Sequence, residues 1–308
     1  MNEAKLLIVA GPTAAGKTWL GAQLACRLNG EVISADAFAV YRGMDIGTAK
    51  PDQGMRALVP HHLVDVVSPH QRYSAGQFLR DADAAIGHMV ERGKQPVVVG
   101  GTMFYVRALL YGLFPEPPKD LRLRRQLERE WEENPEALRQ ELALRDPQLA
   151  AKLAANDRQR ILRALEVVRV AGKPLSELWA QHPRNQARYR FCLLALHPER
   201  ERLRVRIAGR VEDMFARGLV AETRRLVESG VPRTAHAFKA IGYRQALRVV
   251  DGQWTEVEAV QATVHATRQL AKRQLSWLRG EPEVQWLFGF GEEVLSRALE
   301  IWEAYRGA

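Results

Sequence analysis

The sequence predicts an α/β protein: a parallel sheet flanked by helices, with a phosphate-binding P-loop and an all-α insertion. Three observations carry this. Short apolar runs at Leu6–Ala10, Glu31–Ser34, Gln95–Val99 and Phe191–Leu196 are separated by long stretches with helical apolar spacing, the alternation of a parallel sheet and its crossovers. The first run leads into Gly11-Pro12-Thr13-Ala14-Ala15-Gly16-Lys17-Thr18, which fits Gly, four residues, Gly, Lys, then Ser or Thr. A strongly charged helical stretch then interrupts the pattern between a Pro-rich break at Phe114–Asp120 and the strand beginning near Phe191.

Along the chain, Leu6–Ala10 reads as a buried strand. Leu20, Leu24 and Leu28 recur at helical spacing, and Asn29-Gly30 supplies a stop. The glycine-rich loop therefore lies between a strand and the start of a helix. There its amides and the helix dipole favour an anion. Lys17 is expected to reach phosphate oxygens, and Thr18 to hold a magnesium ion. The pattern specifies a diphosphate or triphosphate but not the molecule that carries it.

The run Glu31–Asp36 reads as a strand ending in a carboxylate. Ligands of parallel sheets sit beyond the strands' carboxyl ends, so Asp36 is expected to face the same crevice. A carboxylate there could bind magnesium, orient a nucleophile or accept a proton; its other reading is a helix or turn cap. Residues 38–69 look loop-rich. Adjacent His61 and His62 lack a third ligand at a metal-site spacing and are read as solvent or core histidines. Ser74 opens an amphipathic helix through Phe78, Ala82, Ala85 and Met89. The strand Gln95–Val99 ends in Gly100-Gly101-Thr102. The glycines are expected to allow close backbone approach to a ligand, and the Thr hydroxyl to donate to a phosphate. Phosphate-loop kinases usually carry an acidic residue near this position.

Residues 116–187 are expected to form the helical insertion, with the core at 1–115 and 188–308. Leu123, Leu127 and Trp131 form one apolar stripe, and Ile161, Leu165 and Val168 another. Gln159, Arg163 and Glu166 fall on a different face of that second helix. The remainder reads as helical. Leu203, Ile207 and Val211 point inward, flanked by Arg206 and Arg210. From Thr255 to Leu278 an apolar stripe of Val257, Val260, Val264, Ala271, Leu275 and Leu278 runs beside a basic one of Gln261, His265, Arg268 and Lys272. Arg273 and Trp277, four apart, could form a cation–π pair or a base-stacking platform; Trp277 could equally lie in the core.

The 308 residues allow one large domain or a core with an insertion, and 46% hydrophobic content supports a real core. A net charge of +9 favours an acidic partner such as nucleic acid. Two cysteines without metal spacing suit a reducing, cytoplasmic setting. No run is long enough to span a bilayer, and the N-terminal apolar run is too short for a signal peptide.

Taken together, the phosphate loop, Ile33–Asp36, Val40–Pro51, Val99–Thr102, Gln159–Val167, Ala240–Gln245 and Lys272-Arg273-Gln274 with Trp277 and Arg279 resemble the tRNA dimethylallyltransferase family across nearly the whole chain. The resemblance implies transfer of a dimethylallyl group from dimethylallyl diphosphate to the exocyclic amine of the adenosine 3′-adjacent to the tRNA anticodon. It implies Asp36 as general base and Thr102 at the reaction centre. The chemistry of a diphosphate leaving group separately points to loop amides, Lys17, magnesium and an Arg such as Arg206 or Arg210 as stabilisers of its charge. The resemblance implies tRNA contacts from Asp36, Ala37, Phe38 and Ala39, and from Thr102 and Arg124. Further implied contacts are Gln159, Arg160, Ile161, Leu162 and Arg163; Lys239, Ala240, Ile241, Gly242, Tyr243 and Arg244; and Lys272, Arg273, Gln274, Trp277 and Arg279. An anticodon stem-loop clamped between core and insertion by a monomer is the resulting picture. Ala15 stands where the family usually has Ser, and Ala37-Phe38-Ala39 where it often has Ser followed two residues later by Gln. An ATP-dependent small-molecule or nucleoside kinase is the alternative from the loop alone; an RNA-binding NTPase switch is a third. Gly-Gly-Thr at the strand end and the basic helices speak against the kinase, and the lack of a guanine- or adenine-recognition motif against the switch.

Overall fold

The computed structural model describes residues 2–114, 120–181 and 186–307. The chain divides into two compact units, Met1–Gly112 with Ala187–Ala308, and Leu113–Gln186. In chain order the first unit contains β1 (Asn2–Ala10), α1 (Lys17–Arg27), β2 (Gly30–Ser34), α2 (Gln53–Leu58), β3 (His61–His62), α3 (Ala75–Glu91), β4 (Gln95–Val99) and α4 (Met103–Tyr111). The second unit follows with α5 (Leu121–Glu133), α6 (Pro135–Arg145), α7 (Pro147–Ala150), α8 (Arg158–Ala171) and α9 (Leu175–Gln181). The chain returns through β5 (Tyr189–Leu196), α10 (Arg200–Ala216), α11 (Leu219–Glu228), α12 (Tyr243–Val250), α13 (Glu256–Leu278), β6 (Val284–Leu287) and α14 (Leu295–Gly307).

Among the described residues six parallel strands form one sheet in the order β3-β2-β4-β1-β5-β6. Side chains alternate across a strand, so β1 feeds two cores. Leu6, Ile8 and Ala10 pack into one with α3, α4 and α10–α13, while Leu7 and Val9 pack into the other with α1 and α14. Both faces are covered, which is why the run Leu6–Ala10 is uninterrupted by polar residues.

Three expectations change. The loop-rich stretch after Asp36 contains α2 and the edge strand His61–His62, too short to show a period. The C-terminal remainder is not all helical, because the four residues of β6 pair with β5 and extend the sheet. Val257, placed on the apolar stripe of α13, is 67% exposed, whereas Gln274 is buried on that helix. At the end of α1 it is Asn29 that takes the left-handed conformation, at φ 52°. Gly30 is already strand, and a Cβ there would lie 2.3 Å from Gln95 O.

The second unit, among its described residues, is built of helices around Leu127, Leu138, Leu142, Ile161, Leu162 and Leu165. Its helix starts are written locally. Asp120, Asn134, Asp146 and Asp157 each accept a hydrogen bond from a first-turn amide of the helix that follows, and Pro135 and Pro147 sit at first positions. The expected hinge falls largely on residues 115–119, outside the described residues, as does much of the polar stretch Gln181–Arg188. None of the described helices is long and apolar enough to cross a membrane.

Candidate active site

The register of the three central strands brings the predicted residues together. Val9 pairs with Val99, and Ser34 with Val99 from the other side. The peptides just beyond are stitched by Gly100 N donating to Val9 O (3.1 Å) and Ala35 N to Val99 O (2.8 Å). Thr102 N then donates to Ala35 O (3.2 Å). Gly11, Asp36 and Thr102 therefore leave neighbouring strand ends on the same side. These three strands include β1, where the strand order turns back, the usual place for a ligand crevice.

The Gly11–Thr18 loop runs with Gly11 at φ 143°, Ala14 at φ 65° and Gly16 at φ 89°. No side chain caps α1, so its first-turn amides stay available to an anion. Ala15 is fully buried in the core, so its side chain takes no part in the crevice. Gln274 braces the loop: Thr13 N donates to its Oε1 (2.7 Å), and its Nε2 donates to Gly101 O (2.9 Å). The glycines of the Gly100-Gly101 pair are required by this packing, and both line the recess. A Cβ on Gly100 would lie 2.1 Å from Ala35 O, and one on Gly101 2.2 Å from Gln274 Nε2.

Lys17 Nζ donates to Pro12 O (2.7 Å). Burial, and then the Arg210 charge, push its pKa down to about 7, with Asp36 opposing. Arg210 lies within hydrogen-bond reach of Thr13 Oγ1 (3.3 Å), and its own pKa is lowered chiefly by burial. Arg206 differs: it is ion-paired with Glu292 and sits 4.6 Å over the Phe290 ring. Of the two candidates, Arg210 therefore offers the less compensated charge to the loop. Lys17, Thr18, Arg206 and Arg210 line a crevice of about 1010 Å³ with Asp45, Ala49, Lys50 and Pro51. A deeper recess of about 100 Å³ adds Asp36, Thr13 and Gly101.

Asp36 Oδ1 accepts from Phe38 N (2.8 Å) and Ala39 N (3.1 Å), so one carboxylate oxygen is a turn cap. Oδ2 has no hydrogen bond among the described residues. Thr102 Oγ1 accepts from Ala37 N (3.0 Å), which ties the Asp36 turn to the start of α4 and leaves the hydroxyl proton free to donate. Phe38 stacks on His236 at 5.9 Å, an aromatic pair that nothing in the local sequence connects. His62 lies against Glu31 (2.7 Å) and His61 against Val59 O (2.9 Å), each within hydrogen-bond reach. Among the described residues no group of three or more His, Cys, Asp or Glu could hold a metal.

The expected RNA contacts divide by exposure. Gln159, Arg160, Lys239, Arg244, Lys272, Arg273 and Arg279 are exposed. Ile161, Leu162, Ala240, Gly242, Tyr243 and Gln274 are buried, as is Ala39. Those side chains turn inward, filling a core or making an internal hydrogen bond, and Gly242 offers backbone alone. Ile241 and Trp277 are half-buried, and the guanidinium lying 5.8 Å over the Trp277 ring is that of Arg107. In the second unit Arg124 and Arg163 both approach buried Glu166, at 3.9 and 2.9 Å.

One cationic surface exceeds what the α13 stripe alone indicated. α10 and α13 enclose a groove of about 620 Å³, floored by Leu203, Ile207 and Leu275. Arg200, Arg204, Arg268, Lys272 and Arg279 line it, and among the described residues no acidic one does. Only the pairing of two separate helices reveals it; the Arg200/Arg204 repeat was the available signal.

A family description, IPP transferase, matches residues 39–281. The tRNA dimethylallyltransferase of Koribacter versatilis is 42% identical over 98% of this chain and 99% of that protein. That of Thiobacillus denitrificans is 47% identical over 97% and 96%. The crystal structure of the full-length tRNA isopentenylpyrophosphate transferase from Bacillus halodurans is 35% identical, with a TM-score of 0.74, covering 99% of this chain and 98% of that one. A eukaryotic dimethylallyltransferase acting on tRNA is 27% identical with a TM-score of 0.85, covering 99% and 80%.

Proposed function

The chain belongs to the IPP transferase family of tRNA dimethylallyltransferases, enzymes of tRNA prenylation, and from that premise we propose how its residues carry out the transfer. The Gly11–Thr18 loop is a P-loop that takes the diphosphate of dimethylallyl diphosphate. The single observation behind this is the convergence of that loop, Lys17, Arg210, Asp36 and Thr102 at the ends of β1, β2 and β4.

The acceptor is the exocyclic amine of the adenosine on the 3′ side of the anticodon, unstacked so that it reaches the recess. An aromatic amine is a weak nucleophile, so it needs placement and a proton acceptor. Asp36 supplies the acceptor through Oδ2, while Oδ1 remains on the Phe38 and Ala39 amides. The amine nitrogen bonds to the first prenyl carbon, the bond from that carbon to the diphosphate oxygen breaks, and the amine proton passes to Asp36. Lys17, Arg210 and the α1 amides hold the departing diphosphate, and Thr102 donates to substrate at the reaction centre.

Magnesium fits here only as an ion carried largely by the diphosphate. Thr18 and Asp36 share the recess, and among the described residues no cluster of three or more His, Cys, Asp or Glu could hold a metal by itself. Bound there, it supplies neutralisation of diphosphate charge. The groove between α10 and α13, with Arg273 nearby, takes RNA phosphates, and the second unit adds exposed Gln159 and Arg160.

The test uses dimethylallyl diphosphate labelled in the prenyl group, and tRNA carrying adenosine or guanosine beside the anticodon. Label is expected on the adenosine tRNA only. Asp36→Asn, which keeps the turn cap, is expected to bind tRNA normally and lose about a hundred- to ten-thousand-fold in turnover. Equal labelling of both tRNAs, or normal turnover by Asp36→Asn, refutes the assignment.

A further inference from the structure

The segment Asp45–Pro51 forms part of the crevice wall, and its conformation is set from outside the crevice. Asp45 N donates to Glu222 Oε2 (3.2 Å), and Ile46 N donates to both Glu222 oxygens (3.2 and 3.3 Å). Gly47 N donates to Tyr243 Oη (3.2 Å), and Tyr243 Oη in turn donates to Glu222 Oε1. Glu222 is 5% exposed and Tyr243 fully buried. A carboxylate taken out of water this far is tolerated only when its oxygens are hydrogen-bonded, and here the loop amides and the tyrosine do that. Burial and the Glu222 charge push the Tyr243 pKa up, so the hydroxyl stays protonated as a donor.

The packing adds a second constraint. A Cβ on Gly47 would lie 2.4 Å from the Tyr243 ring, so the ring sits against bare backbone. The far end of the segment is tied as well: buried Lys50 donates to Tyr41 O (2.6 Å) and Asp45 (2.7 Å) and also pairs with Asp65. Neither Glu222 nor Tyr243 lines the crevice, yet Asp45, Ala49, Lys50 and Pro51 do, beside Lys17 and Thr18.

We propose that Glu222, acting with Tyr243, is a positioning residue for prenyl transfer: it fixes the Asp45–Pro51 wall against which the donor is held. It rests on the reading of the crevice as the dimethylallyl diphosphate site.

The experiment compares Glu222→Gln, Tyr243→Phe and the double variant. Glu222→Gln turns one acceptor into a donor facing backbone N–H groups. Tyr243→Phe keeps the ring against Gly47 and removes only the hydroxyl; it carries the comparison alone should Glu222→Gln fail to fold. Each is read for donor KM, kcat, inorganic diphosphate affinity, tRNA affinity and melting temperature. Hydrogen bonds to a buried charge predict a rise in donor KM of about ten- to a hundred-fold, with tRNA affinity within about twofold. Because the two residues act as one device, the double variant is expected to be no worse than the worse single one. Donor KM and diphosphate affinity unchanged, with only the melting temperature lowered, overturns the proposal. So does lost tRNA affinity with an intact donor KM. Wild-type turnover is measured alongside, so a wrong reading of the crevice shows in the wild type itself. Diphosphate affinity still ranks the variants in that case.

Discussion

Gln274→Ala is expected to loosen the phosphate loop before it touches RNA binding. The Gln274 side chain is 7% exposed and spends both ends of its amide internally, on Thr13 N and Gly101 O. Alanine leaves the part-buried Thr13 N–H and Gly101 C=O without that partner. A fully buried group so orphaned costs about 1–3 kcal/mol, so about 2–6 kcal/mol is the upper bound for the pair. Water entering the vacated polar space recovers part, leaving about 2–4 kcal/mol. For a unit of this size a kilocalorie moves the melting temperature by about 2–4 °C, which gives a drop of roughly 4–16 °C. Thr13 lies within the loop, so donor KM is expected to rise with it, while tRNA affinity changes little. Gln274→Glu separates the two bonds: it keeps the acceptor for Thr13 N and sets a carboxylate against the Gly101 carbonyl. It is expected to be destabilised despite being nearly isosteric. The assays are thermal melting, donor kinetics and tRNA titration. An unchanged melting temperature and donor KM, with tRNA affinity down tenfold or more, would refute the brace and restore Gln274 as an RNA contact.

Two further outcomes follow from the charges. The Lys17 pKa of about 7 in the free protein must rise when a diphosphate arrives, so donor binding takes up a proton. Donor affinity is therefore full below pH 7 and weakens above it, by up to about tenfold per unit, until the pKa of the bound form is reached. Calorimetry in two buffers of different ionisation enthalpy reads the uptake, and Lys17→Met should abolish both the uptake and the pH dependence. The α10/α13 groove predicts that tRNA affinity falls with salt by roughly 0.7 to 0.9 log units per log unit of salt for each phosphate neutralised. Lys272→Ala should flatten that slope by about one contact and leave donor affinity alone; superimposable salt curves would remove the groove from RNA binding.

What the sequence determined by itself is whatever local chemistry encodes. The strand–loop–helix at Leu6–Arg27 is legible because Gly11, Gly16, Lys17 and Thr18 must stand at fixed spacing to cradle an anion. The helix starts of the second unit are legible because Asp and Asn caps act within three residues. Asp36 and Thr102 could be placed near the loop because parallel strands direct their carboxyl ends to one side. What the tertiary structure alone decided is which polar residues turn inward. Gln274, Tyr243 and Glu222 lie far along the chain from the loops they hold, at Thr13 and at Asp45–Gly47. The motifs that contain Gln274 and Tyr243 record that a residue is required and not which way it faces, and both are buried. A period also cannot report that Val257 faces water, or that the four residues of β6 complete a sheet. These are long-range pairings whose partners become neighbours only on folding. The same holds for the division of labour between Arg206 and Arg210, one turn apart on α10. A glutamate arriving from Gly291–Glu293, just before α14, neutralises the first and leaves the second facing the loop.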